Sequence, residues 1–198
     1  MSKHKHVIYI PGLGDSKATW QKRAVKTWSL WGVKPHTFQM MWADGEPFEP
    51  KFQRLLKLID ECAEDGSVSL VCASAGASAA IPAFAARKDV ISGVVCIAGK
   101  IHHPMAIGGA YRSRNPAFVE GAHTVGDALD EVQDRLHNLL SIRSAFDPIV
   151  PARDSYLKGA NNRVTIVMGH AATIGTQLLF GAPRFLRFLK AQNTTASS

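Results

Sequence analysis

The alternation of short apolar runs with longer helical segments constrains the fold of this chain more than any other feature. The β-rich runs cover residues 6–10, 34–42, 68–72, 90–98, 139–145 and 163–168. Strands that alternate with helices form a parallel sheet, because the crossover helices cover both of its faces. Near-continuous apolar runs such as Val94–Ile97 are typical of strands buried on both sides. We therefore predict an α/β fold, a three-layer α/β/α sandwich around a mostly parallel six-stranded sheet.

Helical periodicity predicts the other layers of this sandwich. Apolar residues recur at three and four residue intervals, and the predicted helices cover residues 17–31, 48–64, 76–87 and 172–190. Pro183 lies inside the last of these helices and is expected to kink or divide it. Residues 100–124 have no clean period, and we expect an irregular, lid-like insertion there. The length of 198 residues predicts one domain, residues 1–198.

Composition and charge exclude several classes of function. The chain is 46% apolar and 20% charged, as globular proteins are, and its net charge of +7 is spread along the sequence. No basic run is interleaved with aromatic residues, so nucleic-acid binding is not expected. No apolar run is long enough to span a membrane, and the amino-terminal segment has no cleavage site of the signal-peptide kind. We expect a cytoplasmic protein; its oligomeric state stays open.

The metal-binding residue types form no motif in the sequence. Cys62, Cys72 and Cys96 are too few and too scattered for a disulfide framework or a zinc site. The adjacent pair His102-His103 lacks a neighbouring cluster of carboxylates or cysteines. His4 and His6 are interpreted as part of an exposed amino-terminal stretch. We therefore predict no metal site and no cofactor.

The segment Cys72-Ala73-Ser74-Ala75-Gly76 follows a predicted strand and precedes a predicted helix. Acyl transfer needs a hydroxyl that a tight turn lifts clear of the backbone, at the amino terminus of a helix. The segment resembles the G-x-S-x-G nucleophile elbow of the α/β-hydrolase superfamily, with Cys72 in the first glycine position. The alternative is that Ser74 only caps the helix. Ser78, one helical turn further on, is a weaker nucleophile candidate.

Two further motifs follow the fifth and sixth predicted strands. Asp147 begins a D-x-x-V-P segment that looks like the acid loop of many α/β-hydrolases, and His170 stands between Gly169 and Ala171. The order Ser, Asp, His, each after a strand, is that of the superfamily. The resemblance covers residues 6–190 and is that of a small, lid-poor member that starts near the family's third strand. It implies that Ser74 is the nucleophile, His170 the base and Asp147 the residue that orients the base.

The loop after the first strand, Ile10-Pro11-Gly12-Leu13-Gly14, resembles the H-G-x-G loop of the same superfamily, with Pro11 in place of histidine. The resemblance implies that the amides of Leu13 and Ala75 form the oxyanion hole. A dinucleotide fingerprint would need a small residue where Lys17 stands, so that alternative fits poorly.

The resemblance implies a serine hydrolase of carboxylic esters that acts on a small-molecule ester or acyl substrate. Thioesterase, amidase, peptidase and acyltransferase activities use the same triad, and a non-catalytic binding protein on this scaffold is a further alternative. Predicted substrate contacts lie in loops at the carboxyl ends of the strands. They are Gly12, Asp44, His102, Tyr111 and Phe118, with Met105 and Ile107 as further apolar candidates. Capping of the helix near Phe48 is the alternative role for Asp44.

Overall fold

The sheet has the predicted parallel arrangement. The computed structural model describes residues 4–103 and 108–195, and in this part of the chain six strands form one sheet in the order β2-β1-β3-β4-β5-β6, with every neighbouring pair parallel. The strands are β1 His4–Ile10, β2 Lys34–Thr37, β3 Gly66–Ala73, β4 Ile91–Ile97, β5 Leu139–Ser144 and β6 Asn161–Thr165. The predicted α/β fold is therefore confirmed.

Helices cover both faces of the sheet. In chain order they are α1 Thr19–Lys26, α2 Phe48–Asp65, α3 Ala77–Ala86, α4 Gly109–Arg114, α5 Pro116–His123, α6 Val125–Glu131, α7 Ala152–Ser155, α8 His170–Thr176 and α9 Ala182–Thr195. On one face α2, α3, α5 and α6 pack over Ile8, Ile10 and Leu70. On the other face α1, α8 and α9 pack over Val7, Tyr9 and Val71. None of the described helices is both long and apolar enough to cross a bilayer.

Two strands are shorter or shifted relative to the prediction. β2 ends at Thr37 rather than at residue 42, because the chain turns away so that the amide of Met41 donates to the carboxylate of Asp15. The predicted sixth strand included Ile166 and Met168, which lie beyond β6 and are 94% and 69% exposed. In sequence alone, a surface segment with exposed apolar residues has the same pattern as a buried strand.

The segment predicted to be irregular is largely helical. Within residues 100–124, α4 and α5 occupy Gly109–Arg114 and Pro116–His123, so the prediction was wrong there. α5 buries Phe118 and Ala122, and its Gly121 lies so close to Phe48 that an added Cβ would be 2.6 Å from the ring. Glycine and proline obscured the helical period, although proline is favourable in the first turn of a helix.

The predicted break in the last helix is confirmed. A π-helical turn, Gln177–Gly181, separates α8 from α9, and Pro183 stands in the first turn of α9. Proline lacks the amide that would continue the α-helical hydrogen bonds, and a π turn accommodates this loss. The indole of Trp28 donates to the carbonyl of Leu178 at 3.0 Å, which holds this turn against the sheet layer.

The strand order creates a crevice at one edge of the sheet. From β1 the chain crosses to β2 on one side and then returns to β3 on the other side. Loops that leave the carboxyl ends of β1 and β3 therefore diverge, and such a topological switch point is where open parallel sheets bind ligands. The loop at residues 11–14 and Ser74 both start at this point.

Candidate active site

Ser74 lies on a strained turn directly after β3. Its φ is 51°, in the left-handed region that side chains other than glycine seldom adopt. The turn closes because Gly76 has no side chain: an added Cβ would be 2.3 Å from the carbonyl oxygen of Ile10. Cys72 is tolerated in the first glycine position because its thiol points into the core, where it lies 3.4 Å from the thiol of Cys96. The Ser74 side chain is thus directed into the crevice.

The three side chains of the predicted triad lie in one hydrogen-bonded chain. The Ser74 hydroxyl is 2.9 Å from Nε2 of His170, and Nδ1 of His170 is 2.8 Å from Oδ2 of Asp147. The other carboxylate oxygen, Oδ1, accepts from the amides of Ile149 and Val150, both at 2.9 Å. The carboxylate is therefore fixed on both oxygens, and its position orients the imidazole. The His170 and Asp147 side chains are 10% and 4% exposed, so bulk water screens the pair little.

Hydrogen bonds to backbone carbonyls join the loops that carry Asp147 and His170. The hydroxyl of Ser144 lies 2.6 Å from the carbonyl of Phe146 and 2.7 Å from that of Val167. The amide of Gly169 also donates to the carbonyl of Phe146, at 2.8 Å. His170 is the first residue of α8, and Gly169 before it has a φ of 92°. These hydrogen bonds hold the Asp147 loop and the His170 loop together at the end of β5.

The loop after β1 lies against the turn at Ser74. A Cβ added to Gly12 would be 2.7 Å from Cβ of Ser74 and 3.4 Å from the amide nitrogen of Ala75. The indole of Trp42 donates to the carbonyl of Pro11 at 3.3 Å and fixes the start of the loop. Leu13 and Ala75 both line the cavity in which the Ser74 hydroxyl lies. The two predicted oxyanion donors therefore belong to segments in direct contact.

If the Leu13 amide is an oxyanion donor, Gly12→Ala should lower kcat for an acyl substrate by about 10²–10³-fold, the cost of losing one such donor. The new methyl group cannot fit beside Ser74, so the loop that carries the Leu13 amide must move. Steady-state kinetics with thermal unfolding of both proteins test this. Gly126→Ala is the matched control, because an added Cβ at Gly126 meets no atom within 4 Å. Equal kcat values for the two variants would contradict this role of Gly12.

The cavity beside Ser74 measures about 560 Å³, within the usual range for small-molecule sites. Its wall is mainly apolar and includes Leu13, Trp20, Tyr111, Phe118, Ile149 and Val150. Tyr111 is 64% exposed and forms part of the rim, whereas Phe118 is 1% exposed and belongs to the core. Of the predicted substrate contacts, Gly12, Tyr111 and Phe118 thus line this cavity, and their contact with a substrate stays a prediction.

Lys100 is a cavity residue that the sequence analysis missed. Its side chain is 3% exposed, and its ammonium pairs with the carboxylate of Asp154, which is 1% exposed. Nδ1 of His103 lies 2.8 Å from the other oxygen of Asp154. Burial alone would raise the pKa of Asp154, but the bonds from Lys100 and His103 hold that pKa below its usual value. The amide of Lys100 also donates to the carbonyl of Ser74 at 3.0 Å, so the pair supports the elbow.

Two predicted substrate contacts lie elsewhere. Asp44 pairs with Lys51 and also accepts from the amide of Glu46, and it lies outside the residues that line the cavity beside Ser74. It does not cap α2 either, since the amide of Phe48 donates to Glu120 instead. His102 lies 2.9 Å from the carbonyl of Tyr156 and lines a separate, open cleft.

Met105 and Ile107, the further apolar candidates, lie outside the described residues. Their contribution to the cavity stays a prediction. Gly108, the first described residue after them, lines the cavity.

Structural comparison agrees with this architecture. Est1E from Butyrivibrio proteoclasticus superposes with a TM-score of 0.71 at 16% identity, over 96% of this chain and 90% of that one. A structure from work on LipS and LipT, two metagenome-derived lipolytic enzymes, gives 0.68 at 11% identity over 96% and 94%. A putative hydrolase of the α/β superfamily from Xanthomonas campestris gives 0.62 at 15% identity over 96% and 98%.

The chain has the α/β-hydrolase fold. Protein-family models give no match, and a search of curated proteins gives none either. In the α/β-hydrolase fold the nucleophile, acid and base follow separate strands of one sheet. Here Ser74, Asp147 and His170 follow β3, β5 and β6.

Proposed function

We propose that this protein is a serine hydrolase that cleaves carboxylic esters through an acyl-enzyme on Ser74. The observation that carries the proposal is the continuous chain of hydrogen bonds from Ser74 through His170 to Asp147. A serine that only caps a helix has no need of a buried imidazole that a buried carboxylate orients. This specific arrangement matches the demands of acyl transfer.

The reaction proceeds in two half-reactions. Nε2 of His170 takes the proton of the Ser74 hydroxyl as the oxygen attacks the ester carbonyl, and the imidazolium that forms is stabilised by Asp147. The same imidazole then protonates the leaving alcohol, and the acyl group stays on Ser74. Water then enters, gives a proton to His170 and attacks the carbonyl of the acyl-enzyme. His170 returns this proton to the oxygen of Ser74 as the bond to the acyl group breaks, which releases the carboxylic acid and restores the serine.

The oxyanion formed in each half-reaction is stabilised by the amides of Leu13 and Ala75. Ala75 follows Ser74 in the 3₁₀ turn that leads into α3, and the partial positive charge at a helix start favours an anion there. Leu13 belongs to the loop that contacts Ser74 through Gly12. Two donors on separate segments give a fixed site for charge that develops only during the reaction.

The cavity favours esters with a small or medium acyl group. It measures about 560 Å³ and has an apolar wall, so an acyl chain gains contact with Leu13, Trp20 and Ile149. Its polar side chains include Gln21, which accepts from the buried Tyr9 hydroxyl at 2.7 Å, and Lys100. We propose that these groups receive a polar part of the substrate.

Hydrolysis of a series of p-nitrophenyl esters tests the proposal. We expect a stoichiometric burst of p-nitrophenol followed by slower turnover, with higher kcat/KM for acetate and butyrate than for palmitate. Thioester and anilide analogues of the best acyl group separate esterase activity from thioesterase and amidase activity. Absence of hydrolysis of every ester by folded protein would contradict the proposal.

A further inference from the structure

A second group of chemically active side chains lies at the other end of the sheet. His6 on β1, His36 on β2 and Cys62 on α2 each direct one ligand atom into a common space, and these atoms all lie within 4.8 Å of one another. His6 is five residues before the loop at Pro11, which places the group about 16 Å along the strand from the candidate active site. The cluster takes no part in the proposed ester hydrolysis.

Sheet register explains how residues so far apart in sequence meet. His6 is paired with Lys34 and Ile8 with His36 in the parallel β1–β2 ladder. Side chains alternate between faces along a strand, so His6, Ile8 and His36 point to the face that α2 covers. Cys62 lies in the last turns of α2. Three regular elements, rather than mobile loops, therefore hold the three groups.

The distances fit a tetrahedral metal site. Nδ1 of His6 lies 2.9 Å from Nε2 of His36, and that nitrogen lies 3.7 Å from Sγ of Cys62. In tetrahedral zinc coordination two histidine nitrogens are about 3.3 Å apart and a nitrogen and a sulfur about 3.6 Å. A shift of a few tenths of an ångström between the imidazoles would complete the geometry. Without metal, the two imidazoles form a hydrogen bond between these nitrogens.

Burial also favours coordination. His6 is 2% exposed, and Cys62 is 5% exposed. The nitrogen and sulfur atoms of the cluster are therefore largely shielded from bulk water. Imidazole nitrogen and cysteine sulfur are both ligands that Zn²⁺ binds.

The carboxylate of Asp65 lies near the second ring nitrogen of His6. In the described part of the chain, Nε2 of His6 has no hydrogen-bond partner, but Oδ2 of Asp65 is 3.5 Å away. Metal-bound histidines usually donate their second N–H to a carboxylate, which fixes the tautomer. If Nδ1 of His6 loses its proton to bind a metal ion, Nε2 holds one and points at Asp65. The residues thus include a ligand set and a supporting group.

We propose that His6, His36 and Cys62 form a Zn²⁺-binding site, with Asp65 as the residue that positions His6 and water as the fourth ligand. Two imidazoles and one thiolate suit Zn²⁺, which binds nitrogen and sulfur ligands in tetrahedral geometry. Binding releases the Cys62 proton, since the thiolate is the ligand form. The ion joins the edge strand β2 to β1 and to the end of α2, so its expected role is to stabilise this edge of the fold.

The test measures metal binding by the full-length protein after removal of metal with a chelator. Competition with a chromophoric chelator should give one Zn²⁺ per chain, and Co²⁺ should give tetrahedral d–d bands with a thiolate-to-metal charge-transfer band. Cys62→Ser should remove the charge-transfer band and weaken Zn²⁺ binding at least about 100-fold. Asp65→Asn should weaken Zn²⁺ binding by about 10–100-fold, as mutations of residues that hydrogen-bond a metal ligand do.

Three further variants make the result decisive. His36→Gln repeats the test through a second ligand in case Cys62→Ser is unstable, and circular dichroism checks the fold of each variant. His123→Gln and His137→Gln remove exposed histidines and should leave binding unchanged. A Co²⁺ complex with no thiolate band, or binding that His123→Gln abolishes and Cys62→Ser does not, would overturn the proposal. Ester hydrolysis by metal-free protein should persist, so the two proposals stand or fall separately.

Discussion

Ser74→Ala is expected to lower kcat for ester hydrolysis by about 10⁶-fold, the loss typical of a triad nucleophile. His170→Ala should cost about as much, and the double variant should lose little more, because the hydroxyl and the imidazole act as one unit. The 2.9 Å contact between Ser74 and His170 is the physical reason. Steady-state kinetics of the three variants, with circular dichroism to establish folding, provide the measurement.

Ser78→Ala is the matched control for this experiment. Ser78 lies one helical turn beyond Ser74, is fully buried, and its hydroxyl has no hydrogen-bond partner among the described residues. Removing it deletes a serine from α3, the helix that follows the turn at Ser74, and leaves the triad intact, so kcat should hardly change. Additive losses in the Ser74 and His170 variants, or a large loss in Ser78→Ala, would contradict the assigned roles.

Asp154→Asn is expected to lower the free energy of unfolding by about 3–5 kcal/mol, as happens when one partner of a buried ion pair is removed. The Lys100 ammonium, 3% exposed, would lose its carboxylate partner and stay buried. Urea unfolding at neutral pH measures the effect. The double variant Lys100→Met, Asp154→Leu is the control, because apolar side chains of similar size can replace a buried pair with little loss.

The stability difference between wild type and Asp154→Asn should depend on pH. Hydrogen bonds from Lys100 and His103 hold the folded-state pKa of Asp154 below its ordinary value of 3.8. A carboxyl with a lowered pKa contributes stability that is present above its unfolded pKa and is lost as pH falls through its folded pKa. The difference should therefore be full at neutral pH and shrink below about pH 4. A difference that is independent of pH would contradict the role of the ion pair.

Contiguous motifs explain how much could be predicted. Residues 72–76 and the D-x-x-V-P segment at Asp147 are short stretches in which neighbouring residues define a turn. Such local geometry can be recognised without the fold, and strand order then brings Ser74, Asp147 and His170 to one edge. The sheet itself followed from the alternation of strands and helices, because few arrangements bury both faces of apolar strands.

Long-range pairs explain what could not be predicted. Lys100 and Asp154 are separated by 54 residues, and no motif joins them. His6, His36 and Cys62 lie on three different elements, and the prediction that His6 is exposed was wrong because β1 is covered by α2. Contacts of this kind depend on register and packing, which a single sequence does not display.

Labelling with a fluorophosphonate probe, located by peptide mass spectrometry, tests the central claim most directly. Such probes react with a serine hydroxyl that a neighbouring base activates. The oxyanion hole binds the phosphoryl oxygen of the probe during this reaction. We expect one adduct, on Ser74, which is absent in Ser74→Ala and forms far more slowly in His170→Ala. Folded wild-type protein that stays unlabelled, or that is labelled at another serine, would contradict the account.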